Sequence, residues 1–274
     1  MSDLTIRRLM IDLGSGFERN WYCGDPLRTA LFNALSMSFP VGEQFFIDSV
    51  KRGVAALPEP ERGRFADDLK GFAGQEATHR HIHSLFNAQL EAQGYINTWQ
   101  VRAARRVAYV SSMDPRHQVA ITAAYEHYTA MLANWLLDHE ADMAGIDPRL
   151  RTMWLWHSVE ESEHKCVAFD VYQALGGSRA WRIRWYVRAT IFFFSDLTRQ
   201  TVKNLAHDHQ LFKFRTLASL CRLMFGAHGI VRHTLSHWRA YFGRGFHPGQ
   251  IDTVKLTSRW LSQNGDAFKV VGAA

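Results

Sequence analysis

Over residues 27–54, apolar positions recur at spacings of three and four, the period of a helix that packs on one side. Asp25-Pro26 offers an N-cap and a first-turn proline ahead of that run, and Pro40 inside it predicts a kink. Leu57-Pro58-Glu59-Pro60 ends the helix. A second helical run covers residues 61–93 and stops at Gly94. Residues 95–115 form a long connection with room for a helix of its own. Asp114-Pro115 opens a third helix, expected to reach Ala144 before Gly145. Asp147-Pro148 opens a fourth, expected to reach Leu175 before Gly176-Gly177. Two or three more helices are expected over residues 179–242, and a short last one near residues 254–261. The first 24 residues, punctuated by Gly14, Gly16 and Gly24, read as irregular with room for a short strand. The pattern therefore divides the chain into an irregular segment (1–24), a four-helix bundle (25–177) and a helical extension packed on it (178–274).

Composition agrees with an all-α fold. Hydrophobic residues make up 47% of the 274, enough for a full core, and prolines number only 7. Cys23, Cys166 and Cys221 are far apart, which excludes a zinc-ribbon pattern and fits a reducing cytoplasm. The N-terminus lacks the apolar stretch of a signal peptide, and no apolar run approaches the ~20 residues that cross a bilayer. Charge is unevenly placed: residues 179–244 hold 12 Lys/Arg and 2 acids, a local +10 within a net +6. That stretch is also rich in Trp, Phe and Tyr. Residues 179–245 thus offer a contact for a membrane surface or an acidic carrier protein, or simply a solvated basic face.

Acids and histidines on the four long helices change the picture most. In order they are Glu43, then Glu76-x-x-His79, then Glu126, then Glu161-x-x-His164. Residues three apart on a helix differ by about 60° around the axis and ~4.5 Å along it, so a Glu and a His at that spacing can reach one metal ion. Glutamates on the two other helices would complete a paired-metal site, a ligand set known from bundle proteins that hold two iron or manganese ions. Carboxylate and imidazole donors suit iron or manganese better than structural zinc. Glu43 to Glu76 is 33 residues and Glu126 to Glu161 is 35, each a helix up and a helix back. His79 to Glu126 is 47, which leaves room for a crossover between two antiparallel pairs.

Finer choices remain within this set. Glu160, four residues before His164, competes with Glu161, whose three-residue spacing matches that of Glu76 and His79. Glu163 points elsewhere, exposed or salt-bridged. His83 lies one turn beyond His79 and His157 one turn before Glu161. On antiparallel helices both project at the same end of the site, as an extra ligand, as acid–base groups, as hydrogen-bonding partners that orient the ligands, or as ordinary core histidines. Tyr125, Tyr128 and Trp156 lie near the ligands and either shape a pocket or belong to the core. Asp170 is a weaker neighbour, His81 faces away, and Cys166 is given no role.

The segments FPVGEQFFIDSV, FAGQEATHRHIH, AAYEHYTA, WHSVEESEHKCVAFDVY and GRGFHPGQ resemble the bacterial family of predicted metal-dependent hydrolases, within the ferritin-like superfamily. The resemblance spans roughly residues 20 to 260. Its ligand pattern is also similar to that of di-iron oxidases and N-oxygenases. Carried over, the metal ligands would be Glu43, Glu76, His79, Glu126, Glu161 and His164. The leading expectation is a cytoplasmic di-metal oxidase or oxygenase, holding two iron (or manganese) ions and acting on an organic, lipid-like or acidic substrate. It would need an electron donor. A metal-dependent hydrolase using metal-activated water is the alternative, and a non-catalytic iron-binding protein the third. Nucleic acid is disfavoured as a partner, and a homodimer is compatible with the sequence.

Overall fold

The structure, a computed structural model, describes residues 4–272. It is all-α apart from one two-stranded ribbon in which β1 (Arg7–Leu9) pairs antiparallel with β2 (Phe268–Val270). The main helices are α1 (Pro26–Ala55), α3 (Ala66–Ala92), α5 (Pro115–Asp138) and α6 (Pro148–His164). Asp25, Asp114 and Asp147 cap three of them, each accepting from backbone N–H groups just inside the helix, with proline in the first turn. α1 packs on α3, and α5 on α6. Cross-helix partners run in opposite senses: Ser36 meets Asn87 while Glu43 lies near His79, and Glu126 lies near His164 while Glu140, just past α5, meets Arg151 at the start of α6. The pairs are therefore antiparallel, as the spacing implied. The crossover between them carries its own helix, α4 (Thr98–Val110), laid against α1.

Several expected boundaries differ. The second helix is broken at Phe65, whose buried ring separates the short α2 (Glu61–Arg64) from α3. The third ends at Asp138, six residues early, and passes into a 3-10 turn at Glu140–Met143. The fourth stops at His164 and resumes as α7 (Val167–Ala174). At that break the Lys165 ammonium turns inward to Ile251 O (2.5 Å) and Thr253 Oγ1 (2.9 Å), contacts with a distant segment that no local pattern announces. Pro40 does not end α1. It cannot donate to Ser36 O, and that freed carbonyl accepts instead from Asn87 Nδ2 at 2.9 Å.

The C-terminal third wraps the bundle. α8 (Arg179–His207) lies on α1 and α5, α9 (Phe214–Phe225) on α1, α10 (Ile230–Ala240) on α5, and α11 (Val254–Gln263) on α6 and α5. Buried Asp196 of α8 is clamped by Arg102 and Arg106 of α4. No helix among the described residues is long and apolar enough to cross a membrane.

Candidate metal centre

All six sequence-selected ligands lie together in the middle of the bundle, and all are buried. Ligand atoms of Glu43, Glu76 and His79 fall within 4.8 Å of one another, as do those of Glu76, Glu161 and His164. Glu126 closes the cluster, with its Oε2 3.5 Å from His164 Nε2. His79 Nδ1 lies 4.0 Å from Glu76 and 3.6 Å from Glu161. Most of these atoms have no hydrogen-bond partner: both oxygens of Glu43, Glu76 and Glu126, Oε2 of Glu161, Nδ1 of His79 and both ring nitrogens of His164. Buried polar atoms are nearly always satisfied, because leaving one bare costs about 1–3 kcal/mol and more when it is charged. So many orphans aimed at one volume fit a site for cations, whose charge would replace the missing donors.

Electrostatics follow from this crowding. Burial and the neighbouring Glu161 and Glu126 push the Glu43 carboxyl well above its ordinary range. Burial and the repulsion of Glu126, Glu161 and Glu43 do the same to Glu76. Burial raises Glu126 to about 8, although His164 offsets part of the effect. Glu161 goes the other way: burial opposes its charge, but His164 and His157 beside it outweigh that and hold it well below the usual range. Burial alone would lower His164, yet Glu126 and Glu161 carry it to about 9. Burial keeps His79 and His83 well below the usual imidazole value. Without cations the cluster must therefore hold protons.

The two additional histidines meet where helical geometry put them. His83 Nε2 is 2.7 Å from His157 Nδ1, and His157 Nε2 is 2.8 Å from Glu161 Oε1. A chain of assigned hydrogen bonds sets their orientation. Asn87 Nδ2 donates to the Ser36 carbonyl freed by Pro40, which turns Asn87 Oδ1 toward Ser36 Oγ (2.9 Å). The hydroxyl spends its one proton there, so at 2.9 Å it accepts from His83 Nδ1–H. Neutral His83 then accepts from His157 Nδ1–H, and His157 Nε2 is left facing the carboxylates, with Glu43 Oε1 4.0 Å away.

Two residues beside the cluster, Glu160 and Arg7, make contacts that the spacing did not indicate. Glu160 does not face the cluster as Glu161 does. It lies on the far side of His79, accepting from His79 Nε2–H at 3.0 Å, and thereby turns Nδ1 to the cluster. Burial lifts the Glu160 carboxyl to about 8 even with Arg7 nearby. Arg7 of β1 reaches Glu160 at 3.3 Å and grips Glu163 through two bonds of 2.8 and 2.9 Å. Glu163, salt-bridged as expected, also accepts from Gln75 Nε2. Gly71 and Gly74 on α3 were the available signal. A Cβ on either would lie 2.4 Å from Leu4 Cβ or 2.2 Å from Ile6 Cδ1, so only glycine lets the N-terminal segment pass this close.

The remaining residues separate cleanly. Trp156 packs edge-on to His79, with centroids 5.0 Å apart. Asp170 pairs with His247 at 2.8 Å, away from the cluster, and His81 is exposed. Two apolar cavities flank the site. One, of about 460 Å³, lies among α1, α4, α5 and α8 and includes Tyr125, Arg106 and Arg188. The other, of about 560 Å³, has Glu161, His157 and Tyr128 in its wall and extends to Leu217 and Phe225 of α9. Phe39, Thr129 and Phe193 belong to both walls and form the partition.

A family model described as predicted metal-dependent hydrolase matches residues 5–252, nearly the whole chain, and the chain belongs to that family. No curated protein matches it, and neither does any solved structure.

Proposed function

We propose that this member of the predicted metal-dependent hydrolases binds two metal ions at the buried cluster and acts on a substrate with a hydrocarbon body. The observation that carries the reading is the convergence of unpartnered carboxylate and imidazole atoms on one buried volume. The proposed ligands are Glu43, Glu76, His79, Glu126, Glu161 and His164, with His157 Nε2 as a seventh donor. Two such ions supply Lewis acidity and a water of lowered pKa or, as iron, the means to reduce oxygen. The chain does the rest. Glu160 fixes the tautomer of His79, and the Asn87–Ser36–His83 string fixes that of His157. The larger cavity keeps bulk water away and brings an apolar substrate to Glu161 and His157.

The family description favours hydrolysis, which we take as the leading reaction. Oxidation stays as the second reading on one observation. The cavity wall beside Glu161 contains no lysine or arginine to bind an anionic intermediate, and its hydrocarbon lining suits attack on a C–H bond. Metal analysis of the purified chain, followed by two assays, tests both. Turnover of medium-chain nitrophenyl esters that stops on chelation and returns with metal supports hydrolysis. Iron content with an absorbance change when the reduced sample meets oxygen, and no ester turnover, favours oxidation. Failure to take up any divalent ion would sink the proposal.

A further inference from the structure

We propose that α9, with Phe212 and Lys213 just before it, is a docking face for an anionic lipid bilayer, set around the mouth of the larger cavity. The helix is built inside out. Its inward residues include Thr216 and Ser219, whose hydroxyls donate to Gln210 O (2.8 Å) and Asp25 Oδ2 (2.5 Å). Its outward arc is Phe214, Leu217, Cys221 and Phe225, within about 80° of one another at 100° per residue. Phe212, just before the helix, is 96% exposed, Phe214 84% and Phe225 73%. A helix that faces only water presents the opposite arrangement. Such a contiguous apolar patch marks an interaction surface.

The charge on this face identifies the occupant. Arg215 and Arg222, seven residues apart, run along one edge of the apolar arc, with Lys213 between the two leading phenylalanines. The two acids of residues 179–244 are both engaged elsewhere: Asp196 by Arg102 and Arg106, Asp208 by Arg19. The face is thus apolar and cationic with no carboxylate of its own to offset it. Anionic headgroups over hydrocarbon complement both properties at once. A second copy fits poorly, because a two-fold contact would set these arginines against a surface that has no free acid. A soluble acidic protein would answer the arginines but not three bare phenylalanines. Leu217, Leu220 and Phe225 of this face also line the cavity that ends at Glu161 and His157. A lipid tail leaving the bilayer would thereby reach the cluster without crossing water. That last step rests on the metal-centre reading, whereas the docking itself does not.

Flotation of the full chain with vesicles tests the docking. Binding is expected to vesicles of phosphatidylcholine mixed with phosphatidylglycerol, weakening as salt rises, and not to phosphatidylcholine alone. The double variant Phe212→Ser/Phe214→Ser should bind at least tenfold more weakly with an unchanged circular dichroism spectrum, and Arg215→Glu/Arg222→Glu should do likewise. Four results would overturn the proposal: no flotation with the mixed vesicles, undiminished binding of the phenylalanine variant, self-association that this variant abolishes, or binding to an acidic protein but not to vesicles. Metal content measured on the same samples keeps the two readings apart. Wild type that carries metal but does not float refutes docking alone; wild type that floats but takes up no metal refutes the centre alone.

Discussion

Glu160→Gln and Glu161→Gln make the same substitution at adjacent residues of α6, yet the proposed centre assigns them different losses. Glu161 Oε1 lies 2.8 Å from His157 Nε2 and 3.6 Å from His79 Nδ1, while Oε2 lies 3.4 Å from His164 Nε2. A metal ion among these atoms would take Glu161 as a direct ligand. Two unit charges 4 Å apart at an effective dielectric of about 20 interact by about 4 kcal/mol. Removing a carboxylate from a divalent ion should then weaken binding by ~10³-fold or more, or lower the stoichiometry. Glu160 touches only the outer nitrogen of His79 and Arg7. A glutamine there can still accept from His79, at the cost of turning an amide N–H toward Arg7. Losses of about 10- to 100-fold are usual for partners of this kind. Titration of the chelator-stripped chain against a chromophoric chelator reads both variants, with metal analysis for stoichiometry. The assignment fails if Glu160→Gln loses as much as Glu161→Gln, or if Glu161→Gln keeps two tightly held ions.

Stability of the metal-free chain should fall as pH rises above 6.5. Glu126 and Glu160 are raised to about 8 and His164 to about 9, so the folded chain binds more protons than the unfolded one across that window. His79 and His83, shifted down, act in the opposite sense only below their ordinary value. Melting curves with chelator at pH 6.5 and 8.5 should show the lower Tm at 8.5, and added metal should stabilise more at the higher pH because it displaces those protons; a metal-free Tm that climbs across the window contradicts the reading. Gly71→Ala drives a Cβ to 2.4 Å from Leu4 Cβ and 3.1 Å from Leu4 O, forcing backbone to move. It should cost about 1–3 kcal/mol in denaturant titration and also weaken metal binding by loosening Arg7 from Glu160. Lost stability with unaltered metal affinity would separate the N-terminal segment from the site.

What the sequence disclosed of this site was its periodic part. Glu43, Glu76, His79, Glu126, Glu161 and His164 recur at helical spacing and at matched intervals of 33 and 35 residues, so adding heights and faces was enough to gather them. The meeting of His83 with His157 followed from the same geometry once two helices were taken as antiparallel. Arg7 was invisible because it arrives on a strand 153 residues from Glu160, held in place by β2 at the other end of the chain. Glu160 was visible but the direction of its side chain was not: its neighbour Glu161 is only about 100° away around α6, and both contact His79, from opposite sides of the ring. The helix break after His164 likewise depends on acceptors at Ile251 and Thr253. Pattern reports which side of a helix faces inward, whereas these features depend on what arrives there from far along the chain.

Charge balance ties the parts together. Glu160 and Glu163 share the Arg7 guanidinium, and Glu163 also accepts from Gln75. This leaves Glu43, Glu76, Glu126 and Glu161 facing inward, with the His79 and His164 rings between them. Two divalent ions would neutralise those four, whereas a protonated His164 offsets only part of that charge and buried Arg7 stays on the outer side of His79. A centre that is neutral when filled and strongly repulsive when ionised and empty can be held only by helices whose positions are set elsewhere. That is the part played by the apolar clusters above and below it, around Phe86 and Trp154 at one end and Phe72 and Phe169 at the other. In the proposed centre, packing supplies the stability that the ligands spend, and metal binding returns part of it.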